Sequence, residues 1–252
     1  MKSANEENVR VDHVYQLERD CADAWPAVVD EPLGQWRLRA AGGFTGWANS
    51  ALTIGDPGLP IEAALALAQT FAEGHGIPAA AHVVSGSPVE SALVTAGWTV
   101  DLGHPGGAES VVMTGSLDGF APPAAIPVLS RPPDDWWPLA VGAAEPTRAQ
   151  RRVLTGDGAM GFGIARADGR VAGIVRGAVV GDLLHIARLA VASSHRRRGM
   201  ASGLLAALAD WGRRRGATRC ALQVAEHNRA AVSLYAGLGC RPHHHYRYWV
   251  RA

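Results

Sequence analysis

An apolar run, Leu183 to Val191 (LLHIARLAV), breaks into an arginine-rich turn, Arg196-Arg197-Arg198-Gly199-Met200-Ala201-Ser202. The run predicts a strand. Leu204, Leu205, Leu208 and Trp211 then recur at helical spacing, so a helix starts on the turn. The first turn of a helix leaves N–H groups without an intrahelical acceptor, and the helix dipole adds positive potential there. A pyrophosphate is the natural guest of such a turn. Gly199 and Ala201 carry little or no side chain, so an anion can approach the backbone closely. Arg196, Arg197 and Arg198 add guanidiniums able to form forked hydrogen bonds.

Proton-moving groups stand near this turn in the sequence. His185 lies on the same predicted strand, six residues before Val191, and a period of two puts both on one face. A neutral imidazole works as a base near pH 7. Glu226 and His227 follow the next predicted strand, Cys220 to Val224. His243, His244 and His245 alternate faces on a strand, so only His243 and His245 can converge. Two ligands without a third do not make a metal site. The pair reads instead as a wall of a substrate site, and no metal is expected.

The segment as a whole resembles the GNAT superfamily of acetyl-CoA-dependent N-acetyltransferases. That family carries [QR]-x-x-G-x-[GA] after its fourth strand, matched here by Arg196, Gly199 and Ala201. It then carries an Asn-led helix with a Tyr and a Gly-aromatic pair. Asn228, Tyr235 and Gly239 match, while Cys240 stands where an aromatic residue is usual. The resemblance implies acetyl transfer from acetyl-CoA to a small-molecule amine. Leu189, Ala190 and Val191 would offer backbone to the pantetheine and acetyl group, and Arg196 to Ser202 the phosphate cradle. Asn228 would bond the cofactor or cap its helix. Tyr235 would protonate the departing thiolate. The base would be His185 by analogy with family members that carry a His before the glycine turn, with Glu226 or His227 as alternatives. The resemblance does not name the acceptor: amino acids, polyamines, peptide N-termini and amine antibiotics all fit.

Positioning these groups requires a larger frame. The chain has 252 residues, 48% apolar and 19% charged, which supports a sizeable core. Residues 118–134 (DGFAPPAAIPVLSRPPD) hold five prolines and read as a connector. The expected organisation is therefore α/β, with tandem GNAT-like domains, each a mixed central sheet flanked by helices. Residues 1–118 form the first, 119–134 the linker and 135–252 the second. The first half reads as a faded copy of the second. Gly76 and Gly216 stand 140 positions apart, and Gly97 and Gly239 stand 142 apart. Its own turn, Gly55 to Pro60, has no arginine and two prolines, so one cofactor per chain is expected. Only one strand's length of chain follows Gly239, where the family has two. His243 to Val250 should therefore pair outside its own repeat, most simply with the first half.

A net charge of +1 gives no global case for nucleic acid or a membrane surface. No apolar run approaches a membrane span. Cys21, Cys220 and Cys240 show no metal spacing and read as reduced thiols of a cytoplasmic protein. A homodimer is compatible with the sequence. The competing readings are a silent acyl-CoA-binding regulatory protein and, more remotely, a nucleic-acid binder using the arginine runs.

Overall fold

The structure is a computed structural model that describes residues 4–121 and 125–251. In chain order the elements are α1 (Ala4–Ala24), β1 (Val29–Leu33), β2 (Trp36–Ala40), β3 (Ala51–Leu52), α2 (Ile61–Gly74), β4 (Ala80–Val84), α3 (Val89–Thr95), β5 (Trp98–Val100) and β6 (Glu109–Ser116). There follow β7 (Val128–Leu129), α4 (Trp137–Val141), α5 (Arg148–Thr155), β8 (Ala159–Ala167), β9 (Arg170–Val180), β10 (Leu183–Val191), α6 (Met200–Arg213), β11 (Arg219–Ala225), α7 (Arg229–Gly237) and β12 (Arg241–Arg251).

The chain divides into two compact units, and the division is not linear. The first holds residues 1–112, 224–228 and 242–252; the second holds 113–223 and 229–241. The sequence reading cut the chain once, at the proline-rich stretch. Two things differ. Residues 242–252 belong with the N-terminal unit because β12 finds its ladder there: Tyr246 to Val250 pair antiparallel with Val84 to Ala80, and Trp249 to Arg251 with Val100 to Trp98. The second half of the expected linker is part of a sheet, since Val128 and Leu129 pair with Gly163 and Phe162 of β8. Residues 122–124 of that stretch lie outside the described residues.

In the first unit the strand order is β1-β2-β3-β4-β12, with β3 and β4 parallel and the other pairs antiparallel. The faded copy is visible in backbone conformation. Gly76 and Gly216 have φ of 62° and 88°, and Gly97 and Gly239 have 79° and 86°. These left-handed values are what glycine supplies where a helix or turn must stop. The turn before α2 is occupied by its own side chains. Asp56 Oδ1 accepts from Gly58 N at 2.8 Å, and Gln35 Oε1 accepts from Asp56 N at 2.7 Å. The turn thus carries a carboxylate of its own, which repels an anion.

In the second unit the order is β11-β10-β9-β8-β7, with β10 and β11 parallel. The Asp168-Gly169 hairpin forms as its residue types demand, with φ of 50° and 75°. Helix α5 starts on a capping box between Thr147 and Gln150. One face of β8 and β9 is paved with glycine. A Cβ on Gly161 would come within 2.7 Å of the Trp211 ring, one on Gly173 within 2.8 Å of Met200 Sδ, and one on Gly177 within 2.8 Å of Leu208 Cδ1. Met200, Leu208 and Trp211 all belong to α6, whose side chains therefore reach the sheet backbone at these three positions. The opposite face carries Phe162 against Trp136, with ring centroids 5.3 Å apart. Among the described residues no helix is long and apolar enough to cross a membrane.

The glycine seat gives a direct test. Gly161→Val forces two methyl groups against a rigid indole that has no room to move. Urea denaturation should show a loss of about 1–3 kcal/mol, the usual cost of overpacking a filled core; unchanged stability would mean that α6 is not seated on this face.

Candidate active site

Strand β10 carries the site, and it changes character along its length. Leu183 to Ile186 are buried, while Ala187 to Val191 are half-exposed. The change coincides with a bulge. Ala187 pairs with Arg176 and Ala190 with Ile174, so two residues of β10 oppose one of β9. Arg188, within the bulge, has a φ of 53°. A bulge leaves backbone groups outside the ladder, and Leu189 is in it. Arg188 sits in the bulge half-buried, and desolvation lowers its pKa.

The extra residue also overturns the parity argument for His185. His185 pairs with Ala178 and Ala190 with Ile174, so His185 shares its face with Ala190, and Val191 is on the other side. That His185 face is the one on which Arg176 Nε donates to Leu154 O of α5 at 2.8 Å. His185 is 0% exposed, and its Nε2 lies 2.9 Å from Gln223 Oε1. An imidazole enclosed in this way is a structural partner of Gln223, not a base open to an incoming amine.

Beyond β10 the turn is built by short-range hydrogen bonds. Ala192 N donates to Ala172 O at 2.8 Å, and His195 N to Ala192 O at 2.8 Å. Ser194 Oγ lies 2.9 Å from His195 Nδ1. Arg196 folds back, its Nε donating to Val191 O at 3.2 Å, and so clamps the turn shut. Arg197 is left-handed (φ 62°), as is Gly199 (φ 76°). Gly199 is the N-cap of α6 and brings no side-chain cap; no acidic residue occupies the first turn. The leading N–H groups of Met200, Ala201 and Ser202 have no i−4 acceptor within the helix. Arg197, Arg198 and Gly199 are exposed. A Cβ at Gly199 would meet nothing within 4 Å. Only the positive φ makes glycine the fitting residue.

Arg197 also borders an open cleft of about 460 Å³, whose other wall is Arg229, Ala230, Ser233 and Leu234 of α7. Arg229 and Ser233 escaped the sequence reading, which took only Asn228 and Tyr235 from this stretch. Their spacing of four residues, one helical turn, was the available signal.

Tyr235, on the same helix, is 8% exposed. Burial, with the nearby Cys240 and Cys220 thiols, pushes its phenol up to about 12. It therefore keeps its proton at neutral pH. Cys240 N donates to Tyr235 O at 3.1 Å, and the two sulfurs lie 3.8 Å apart. Cys240, which replaces the expected aromatic residue, is thus buried in a thiol pair below the tyrosine.

The remaining candidates belong to the first unit. Glu226 and His227 are exposed, with Glu226 N donating to Glu109 O at 3.1 Å. On β12 the alternation holds: His243, His245 and Arg247 are half-exposed on one face. His244, between them, turns inward to a charged cluster that the sequence did not reveal. Its Nε2 lies 2.6 Å from Glu18 Oε1, and Glu18 Oε2 lies 3.1 Å from His82 Nε2. His243 Nδ1 is 2.8 Å from His244 Nδ1, and the His82 ring stacks on Tyr246 at 4.0 Å. Among the described residues no group of three His, Cys, Asp or Glu side chains is placed to hold a metal.

Burial alone would raise the Glu18 carboxyl, but the His82 and His244 imidazoles outweigh it and hold the carboxyl well below its usual range. A depressed carboxylate stabilises the fold above its unfolded pKa of about 4.3 and loses that contribution as pH falls through the acid range. Glu18→Gln should therefore destabilise the protein at pH 7 by about 3–5 kcal/mol, the cost of breaking a buried pair from one side. Its urea midpoint should also fall less steeply with acid than that of the parent; parallel acid slopes would refute the pairing.

The chain has counterparts among known proteins. Residues 12–249 match the family model described as "Probable histone acetyltransferase Rv0428c C-terminal". The N-acetyltransferase YobR of Bacillus subtilis strain 168, itself uncharacterized, is 27% identical over 263 residues, spanning 94% of this chain and 99% of its own. A GCN5-related N-acetyltransferase from Kribbella flavida superposes with a TM-score of 0.62 at 18% identity, over 94% of this chain and 93% of its own. A tandem GNAT protein from the clavulanic acid biosynthesis pathway does so with a TM-score of 0.58 at 19% identity, over 79% and 74%.

Proposed function

The chain belongs to the Rv0428c-type acetyltransferases, within the GNAT N-acetyltransferases, and we propose that its second unit passes acetyl from acetyl-CoA to a small-molecule primary amine by direct attack. The observation that carries this reading is the run from the β10 bulge to the uncapped start of α6. It offers ladder-free backbone and then a helix N-terminus without acid or side-chain cap, next to exposed arginines.

Each residue has a task. Backbone groups of Leu189, Ala190 and Val191 hold the pantetheine arm and polarise the thioester carbonyl, where negative charge develops as the amine adds. The N–H groups of Met200, Ala201 and Ser202 at Gly199 take the pyrophosphate, with Arg197 and Arg198 beside them. Arg196 acts on the turn itself, through Val191 O. Asn228 immediately precedes α7 and serves as its cap or as a cofactor contact. With His185 enclosed, the proton of the attacking amine passes to water. Tyr235 gives its proton to the departing thiolate, which its raised pKa permits at neutral pH. His243 and His245 contribute to acceptor recognition. One acetyl-CoA binds per chain, because the corresponding turn of the first unit has no arginine, two prolines that offer no N–H, and the Asp56 carboxylate bonded within it. Amino acids and amine antibiotics are the acceptor classes to screen first.

Two substitutions test the reading. Gly199→Asp puts a carboxylate at the mouth of the phosphate cradle and a side chain on a φ of 76°. Calorimetry on the parent should give one acetyl-CoA site, and the variant should show no measurable binding while keeping its fold; equal affinity in both would sink the cofactor assignment. Tyr235→Phe should lower kcat by about 10²–10⁴-fold with little change in the KM for acetyl-CoA, measured by thiol release across an amine panel. Tight acetyl-CoA binding with no turnover on any amine would instead favour a silent acyl-CoA sensor.

A further inference from the structure

Coenzyme A carries three phosphates, and the cradle at Gly199 accounts for two of them. The third is a monoester on the 3′ position of the ribose, next to the adenine. The cleft bounded by Arg197 and α7 has the chemistry for that end. Arg229, Ala230, Ser233 and Leu234 occupy positions i, i+1, i+4 and i+5 of one helix, so they form a stripe along a single face. One edge of the stripe is a guanidinium followed one turn later by a hydroxyl. The other edge is Ala230 and then Leu234, both apolar. A phosphate monoester fits the first edge and a flat base the second. Arg229 and Ser233 are exposed, and neither is buried in the core, so nothing in the packing of α7 requires an arginine there. About 460 Å³ is enough for a nucleoside with its phosphate.

We propose that Arg229, backed by Ser233, recognises the 3′-phosphate, and that this contact lets the protein distinguish coenzyme A from 3′-dephospho-coenzyme A. This assignment rests on the acetyl-CoA reading above. Arg229 is a binding residue for the end of the cofactor remote from the reacting carbonyl. A contact made equally in ground and transition states changes affinity and leaves kcat alone.

Titration calorimetry with the two cofactors, on the parent chain and on Arg229→Gln, tests it. The parent should bind coenzyme A about tenfold or more tightly than the dephospho form, the range of one charge-assisted hydrogen-bonded contact. In Arg229→Gln the affinity for coenzyme A should drop to that of the dephospho form, whose own affinity should not move. Arg229→Lys should recover part of the preference, since it keeps the charge and loses the fork. Equal binding of both cofactors by the parent overturns the proposal, as does an Arg229→Gln variant that loses both to the same extent, which would put Arg229 on the pyrophosphate. A parent that binds neither cofactor overturns the acetyl-CoA reading itself. The exposed position of Arg229 lets the variants fold, and a thermal melt confirms it.

Discussion

Helix α6 can lie close against its sheet because three positions beneath it carry no side chain. Gly161, Gly173 and Gly177 remove the Cβ atoms that Trp211, Met200 and Leu208 would otherwise strike. At those positions the helix side chains reach the sheet backbone, with Val175 and Leu184 filling the space between, and the first turn of α6 comes close to the end of β10. The turn between them can then be short, and Arg196 can span it to reach Val191 O. The bulge and the left-handed Arg197 and Gly199 follow from the same geometry, since a strand must be turned into a helix that lies almost upon it. Glycine weakens a strand by itself, but here a long helix covers the same face and Leu204, Leu205 and Leu208 are fully buried on it.

Much of this was legible in the residues. The apolar run, the R-x-x-G-x-A turn and the Asn-led helix fixed the order of elements around the site. The glycines that mark the faded copy take matching left-handed conformations. The count of strands after Gly239 implied an outside partner for β12, and Tyr246 to Val250 do pair with β4. What failed was the counting of faces along β10. A period-two argument assumes a regular ladder, and one inserted residue at Arg188 reverses it. His185 therefore does not share the face of Val191, and its full burial beside Gln223 closes it to an incoming amine. The single cut at the prolines failed for a related reason: proline density reports where regular structure stops, not which sheet a later strand joins.

Some features leave no trace in local sequence. Glu18 sits on a helix and His82 and His244 on strands, and only the folded unit brings the three together. Nothing about an isolated Glu in LERDC announces a carboxylate 1% exposed. The histidine run does not by itself select the register, because a slip of β12 by one residue would bring His243 or His245 to the face of Glu18. The same slip would turn Tyr246 and Tyr248 away from the His82 ring, so the aromatic contacts are what favour one register.

The place of β12 in the first unit bears on how the protein is made. Strand β4 leaves the ribosome long before its ladder partner β12. Until β12 has emerged, β4 holds an edge of unpaired N–H and C=O groups, and Glu18 lacks one of its two imidazoles. The N-terminal portion of the chain therefore cannot settle first and wait for the rest, as successive domains of a tandem protein ordinarily do. Its closure is a long-range event with a large loop-closure cost, so both halves must mature as one cooperative product. A gene cut at the proline-rich segment would not yield two working pieces, because the N-terminal fragment would lack the strand that closes its own sheet.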